Sequence, residues 1–196
     1  MFWLLALAAW ALAEAITVVG PAYPPNAVSG GTVTALLHVS AGEIRGMDIL
    51  QGDAPFVAPT RSALGAWRFR SSDSGDYLVV VNFRSPTLYA TGPAGRKLSA
   101  RPDSAEVPGI KSIVEPVYPA NSLGEGSAVF RLGILASGAV SNAVVVQGLG
   151  DLTSACLAAV RQWQFVPAAT AGKNPGSSEV YAVCVLRRPV LGKSVP

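Results

Sequence analysis

Residues 151–167 read DLTSACLAAVRQWQFVP. Leu152, Cys156, Ala159, Val160 and Trp163 recur at steps of 4, 3, 1 and 3, which places them on one face of an α-helix. Asp151 stands where an N-cap is expected, so the helix is predicted from there through Gln162. The sequence around it supplies a sheet for that face. Ser127–Leu135 and Ala139–Gln147 are β-rich and flank a turn at Ser137-Gly138, and Val180–Leu186 forms a third strand. Trp163 and Phe165 are expected to close the core, contributing roughly 1.5–3 kcal/mol each on burial.

The same landmarks occur once before. Tyr23-Pro24, Gly30-Gly31, Gly42 and Trp67-Arg68-Phe69 are followed later by Tyr118-Pro119, Gly124-Glu125-Gly126, Gly138 and Trp163-Gln164-Phe165. The tyrosines are 118 − 23 = 95 residues apart and the tryptophans 163 − 67 = 96, so one single-residue indel keeps the two strings in register. That regularity reads as a tandem duplication. The expected fold class is α+β, with two tandem small modules, each a three-stranded antiparallel sheet with one helix packed on it (ββαβ). Module one spans residues 20–84 and module two residues 115–188. In module one the strands are Val33–Val39, Glu43–Leu50 and Tyr77–Phe83, with a turn at Ala41-Gly42 and a helix from Asp53 towards Trp67. Pro59 falls inside that helix, where it costs about 3 kcal/mol, so a break there or a start at Pro59 is expected. Residues 85–114 are rich in Pro, Gly and charge and read as a surface linker. Residues 189–196 read as a basic tail.

Composition narrows the function. Charged residues make up 14% of the 196 and hydrophobic ones 50%, which suits an ordered, well-buried chain. The net charge is +3, and the one dense basic cluster, Arg187, Arg188 and Lys193, lacks interleaved aromatics. No nucleic-acid partner is expected. Met1 to Ala13 is uncharged and apolar, and Ala13-Glu14-Ala15 fits a small-x-small cleavage rule. Residues 1–15 therefore read as a signal peptide cut before Ile16. A retained inner-membrane tether is the rival, against which thirteen apolar residues fall short of the roughly 20 that a spanning helix needs. Cys156 and Cys184 are the two cysteines. In an exported chain they read either as a disulfide or as two buried thiols.

No catalytic constellation can be assembled. His38, the one histidine, lies inside a predicted strand, and no nucleophile motif accompanies it. Gly148-Leu149-Gly150 lacks the lysine of a phosphate loop and serves more simply as a turn into the second helix. No metal-ligand spacing is present, and no cofactor is expected.

The motifs together resemble the TonB C-terminal domain. Glu115-Pro116-Val117-Tyr118-Pro119 matches that family's opening segment. Gly126, Val129, Gly138 and Val140 match its strand pair, and Leu152, Ala155, Ala158, Val160, Arg161 and Trp163 to Pro167 match its helix and helix end. Module one matches at Pro21-Ala22-Tyr23-Pro24, Gly31, Val33, Gly42 and Trp67-Arg68-Phe69, with Pro59 as its departure. The resemblance implies a non-enzymatic periplasmic protein of the cell envelope. Its partner would be an envelope protein or an extended peptide, for example a segment of an outer-membrane transporter, added beside an edge strand. By transfer, Tyr181, Val183 and Val185 mark the edge, and Pro116, Val117, Tyr118 and Pro119 mark the docking stretch. Two alternatives stand beside it. In one, strand three is covered by module one in a pseudo-twofold arrangement, and the chain is a self-association element, within itself or as a homodimer. In the other, it is a short-anchored energy transducer in transmembrane transport. Against the latter, the family's energy transducers carry a long Pro-rich spacer, and module one follows the leader at once.

Overall fold

The computed structural model describes residues 14–85, 95–169 and 178–189. Most of the expected leader, the Pro/Gly-rich start of the expected linker and all but the first residue of the basic tail lie outside these.

Two segments, YLVVVNF at 77–83 and VYAVCVL at 180–186, carry large side chains at consecutive positions. A strand of that composition needs cover on both faces. These two lie side by side in the interior of one sheet, with a core cluster packed on each face. Strand β5 (Gly75–Phe83) pairs in parallel with strand β11 (Ser178–Leu186), from Leu78 opposite Val180 to Phe83 opposite Val185. Around this seam the other strands follow. Strands β1 (Ala15–Thr17), β2 (Gly31–Ser40), β3 (Glu43–Gly52) and β4 (Arg68–Phe69) lie on the β5 side, and β8 (Gly126–Ile134) and β9 (Val140–Gln147) on the β11 side. The order across the sheet is β1-β4-β3-β2-β5-β11-β8-β9, with every pair but β5–β11 antiparallel.

This corrects the expected fold class. The chain does not form two small ββαβ modules, each with its own three-stranded sheet. It forms one mixed eight-stranded sheet plus a three-stranded one. The reason is burial. Helix α1 (Ala54–Gly65) belongs to one core cluster, with Phe56, Leu64, Trp67 and Phe69, and that cluster is completed by Tyr181, Val183 and Val185 from β11. Helix α2 (Thr153–Val160) belongs to the other, with Cys156, Val160, Trp163 and Phe165, completed by Leu78 and Val80 from β5. Successive strand residues point to opposite faces. Each half of the chain therefore supplies side chains to the other half's helix, and the helices cover opposite faces. Neither half could keep its core alone.

The expected surface linker is corrected as well. Its described part contains β6 (Gly95–Lys97) and β7 (Gly109–Val114), which join β10 (Gln164–Val166) in the small sheet, ordered β10-β7-β6. Ile110 and Ile113 of β7 are buried in the α2-side core, and Ala100 and Val107 join them. Helix α1 begins directly after Asp53, as one of the two expected starts had it, whereas α2 begins later than expected. Helix α1 starts at Ala54 and runs through Pro59, because Phe56, Thr60, Ala63 and Leu64 hold its inner face in the core. Asp53 makes no side-chain cap to α1. Its Oδ2 accepts the Thr32 N–H at 2.8 Å instead. Residues Gly150–Leu152 form a 3-10 turn, so α2 starts at Thr153, two residues after Asp151.

Matched contacts recur in the two halves. The Trp67 indole donates to the Val19 carbonyl at 2.9 Å, and the Trp163 indole to the Val114 carbonyl at 3.0 Å. Phe69 N–H donates to Gly42 O at 2.9 Å, and Phe165 N–H to Gly138 O at 2.8 Å. Those two glycines have φ of +79° and +82°. A Cβ would stand 2.6 Å from the Phe69 oxygen in the first case and 2.0 Å from the Phe165 oxygen in the second. Only glycine fits either turn.

Candidate functional site

The Tyr-Pro segments are fixed from within. Tyr118 donates its hydroxyl to the Gly124 carbonyl at 2.6 Å, and Arg84 lies over its ring, 5.6 Å from the centroid. The Arg84 Nε donates to the Pro116 carbonyl at 2.8 Å. Arg84 is 5% exposed, and burial lowers its pKa, partly offset by the nearby Glu115. The first half repeats the device with the arginine that follows β11. Tyr23 donates to Ser29 O at 2.8 Å, and Arg187 lies 5.9 Å from the Tyr23 ring centroid and donates to Pro25 O at 2.9 Å. Burial pushes the Tyr23 pKa up to about 12. Each tyrosine is thus pinned by the arginine ending the other half's last strand. Of the expected docking residues, Pro116 is buried, Tyr118 and Pro119 are half-buried, and Val117 alone is exposed. They form a staple across the seam.

The expected edge also sits elsewhere. Tyr181, Val183 and Val185 are 0%, 0% and 1% exposed, in a strand bonded to β5 on one side and β8 on the other. The main chain of β11 is used on both sides, so no added strand can pair with it in this conformation. Tyr181 packs edge-on against Trp67, Phe69 and Tyr77 and accepts the Ala15 N–H at 3.0 Å. Burial pushes its pKa up to about 12.

Among the described residues β9, the last strand of the large sheet, presents a free edge, and β3, which meets β4 only at Glu43, is open along the rest of its outer side. The sheet curls so that β1, its opposite end, approaches β9 across a groove of about 400 Å³. Glu14, Ala15, Ile16 and Arg70 line one bank and Val144, Val145 and Val146 the other, with Arg131 and Tyr181 between. Val144 and Val145 are each 43% exposed, and Ile16 is 63% exposed. The banks carry balanced charge. Arg70 pairs with Glu14, and Arg131 lies 3.8 Å from Glu179. Burial raises the pKa of Glu179, with Arg131 acting against it. An exposed apolar strand edge beside a slot of this kind offers unpaired backbone groups and side-chain contacts to an extended peptide. Sequence reading found β9 as a strand but placed the edge at β11, whose outer side is taken by the long-range β5–β11 pairing.

The groups weighed for chemistry are held structurally. His38 bridges two carboxylates, with Nδ1 2.7 Å from Asp76 and Nε2 3.0 Å from Asp48. Hydrogen bonds to Asp48 and then Asp76 raise its pKa. Cys156 and Cys184 are buried free thiols in hydrogen-bond contact, and that contact together with burial pushes the Cys184 thiol well up. Among the described residues, no group of three or more His, Cys, Asp or Glu is placed to hold a metal. No helix among them is long and apolar enough to cross a membrane.

No curated protein and no solved structure matches the chain significantly. A family model does match. It describes the C-terminal region of the TonB protein of Gram-negative bacteria, a non-enzymatic, protein-contacting domain of envelope transport systems. It covers residues 114–182, the stretch from the end of β7 through the first half of β11.

Proposed function

We propose that this chain is an exported, non-enzymatic envelope protein that captures an extended segment of a partner by strand addition at the outer edge of β9. The observation that carries the reading is the β9 edge itself, with Val144 and Val145 exposed above the groove facing β1. The family match over residues 114–182 supports the class of partner, an outer-membrane transporter or another envelope protein. In that family resemblance the peptide lies beside the last strand. Here that strand is covered, and the outer edge passes to β9. The matched Trp, Tyr and Gly contacts of the two halves support an internal duplication whose copies have merged into one sheet. The duplication thus took two free edges and sealed them against each other at the seam.

The test is calorimetric titration with peptides copied from the periplasm-facing N-terminal segments of outer-membrane transporters of the same cell. Wild type is expected to bind. Val145→Lys, which places a charge on an exposed edge, is expected to weaken binding at least tenfold with an unchanged melting temperature. Equal binding by both proteins sinks the assignment of β9, and absence of binding by wild type sinks the function.

A further inference from the structure

Asp73 is an unusual carboxylate. It is 6% exposed, yet the described residues place no basic side chain in ion-pair contact with it. A buried carboxylate is costly without a counter-charge. Its Oδ1 accepts the Ser72 hydroxyl at 3.1 Å. Its Oδ2 accepts the backbone nitrogen of Glu14 at 3.0 Å.

Glu14 is held in place by more than this bond. Its carboxylate pairs with Arg70, and its carbonyl accepts the Arg70 N–H at 3.3 Å. The next residue, Ala15, is 6% exposed in the α1-side core and donates its N–H to Tyr181. Ile16 beyond it is 63% exposed. Cleavage before Ile16 would remove the bonded Glu14 and the buried first residue of β1, Ala15, and leave the exposed Ile16 and Thr17. The sequence offers a second small-x-small site two residues earlier, Ala11-Leu12-Ala13, which directs cleavage before Glu14. That position depends on the residues flanking the bond and not on the length of chain upstream.

We propose that the protein is processed between Ala13 and Glu14, and that the new α-ammonium of Glu14 is the buried counter-charge of Asp73. A protease of the signal-peptidase class adds water across the peptide bond. Ala13 leaves with the new carboxylate, and the Glu14 nitrogen retains the bond to its Cα and becomes –NH3+. A neutral amide donor is thereby replaced by a charged one at the same atom, and charge-assisted hydrogen bonds are the stronger class. Cleavage and folding become linked, since the charge that Asp73 needs exists only in the processed chain.

Two measurements test this. Intact mass and N-terminal sequencing of protein recovered from the envelope fraction are expected to give a chain starting at Glu14. A start at Ile16, or residues retained upstream of Glu14, overturns the proposal. The second uses the full chain beginning at Glu14 and compares it with its Asp73→Asn variant. The folded α-amino pKa lies above its unfolded value of roughly 7.7–8.0 because Asp73 favours the charged form. The stabilisation is therefore complete below that unfolded value and is lost as pH rises through the folded one. Arg70, Arg131, Glu179, Tyr77 and Tyr181 also face this corner, so the readout is the difference in melting temperature between the two proteins, in which their contributions largely cancel. That difference is expected to be largest at pH 6–7 and to shrink towards pH 10. A difference independent of pH means that Asp73 only accepts a hydrogen bond, and overturns the ion pair.

Discussion

Replacing Trp163 by alanine probes whether the two halves are one folding unit. The side chain is fully buried in the α2-side core, and its indole nitrogen donates to the Val114 carbonyl at 3.0 Å. Truncating a buried tryptophan costs about 3–5 kcal/mol. The orphaned carbonyl adds about 1 kcal/mol. The sum, about 4–6 kcal/mol, is a large share of the ~5–15 kcal/mol typical of a whole domain. At ~2–4 °C per kcal/mol for a chain of this size, the melting temperature should fall by ~10–20 °C. The form of the transition matters as much as its position. Leu78 and Val80 of the first half pack in the same core as Trp163, and Tyr181 of the second half packs against Trp67. Thermal and urea unfolding should therefore remain a single transition, shifted as a whole, when followed by Trp67 fluorescence and by circular dichroism. Two transitions with only one displaced would refute the shared sheet, and an unshifted curve would refute the burial of Trp163.

Further predictions concern the polar and sulfur groups. Arg84→Lys should destabilise by about 1–3 kcal/mol in urea unfolding, because lysine cannot both stack on Tyr118 and reach the Pro116 carbonyl. The His38 pair stabilises the imidazolium, so its contribution is present in full below the unfolded pKa near 6.5 and is lost as pH rises through the raised folded value. With the ring 38% exposed, that contribution should stay below about 1 kcal/mol, read as the difference between wild type and His38→Gln from pH 5 to 9. Cys156 and Cys184 should resist a charged thiol reagent in the folded protein and react together in denaturant. Failure to react in denaturant without reductant would identify a disulfide instead.

Much of the local structure was legible in the sequence. The six main strands fall within about two residues of their expected ends, and the α2 face Leu152, Cys156, Ala159, Val160 and Trp163 is buried as its spacing demands. Local signals carry these features: period, turn glycines and aromatic stops. The shared sheet was read only as the alternative in which module one covers strand three, although a signal that favoured it was present. Leu78–Val81 and Val180–Val185 are apolar at consecutive positions, which marks strands covered on both faces, whereas an isolated ββαβ unit exposes one face and shows alternation. The expected linker misled for a different reason. Pro102, Pro108 and Gly109 suggest a loop, while Ile110 and Ile113 flank Lys111-Ser112 in a strand that needs β10 to pair with. The binding edge followed from both. Once β5 and β11 seal each other, β11 is lost as an edge while β9, the outer strand beside β8, remains one.

The central claim is that an extended peptide adds to β9. Amide hydrogen exchange, resolved by residue and measured with and without saturating transporter-derived peptide, tests it most directly. The account predicts new protection confined to alternate amides of Val140–Gln147, those facing away from β8, with β11 slow in both states. Protection appearing at β11, with exchange accelerating along β5, would mean that the seam opens to admit the peptide, and would contradict the assignment of β9 as the edge.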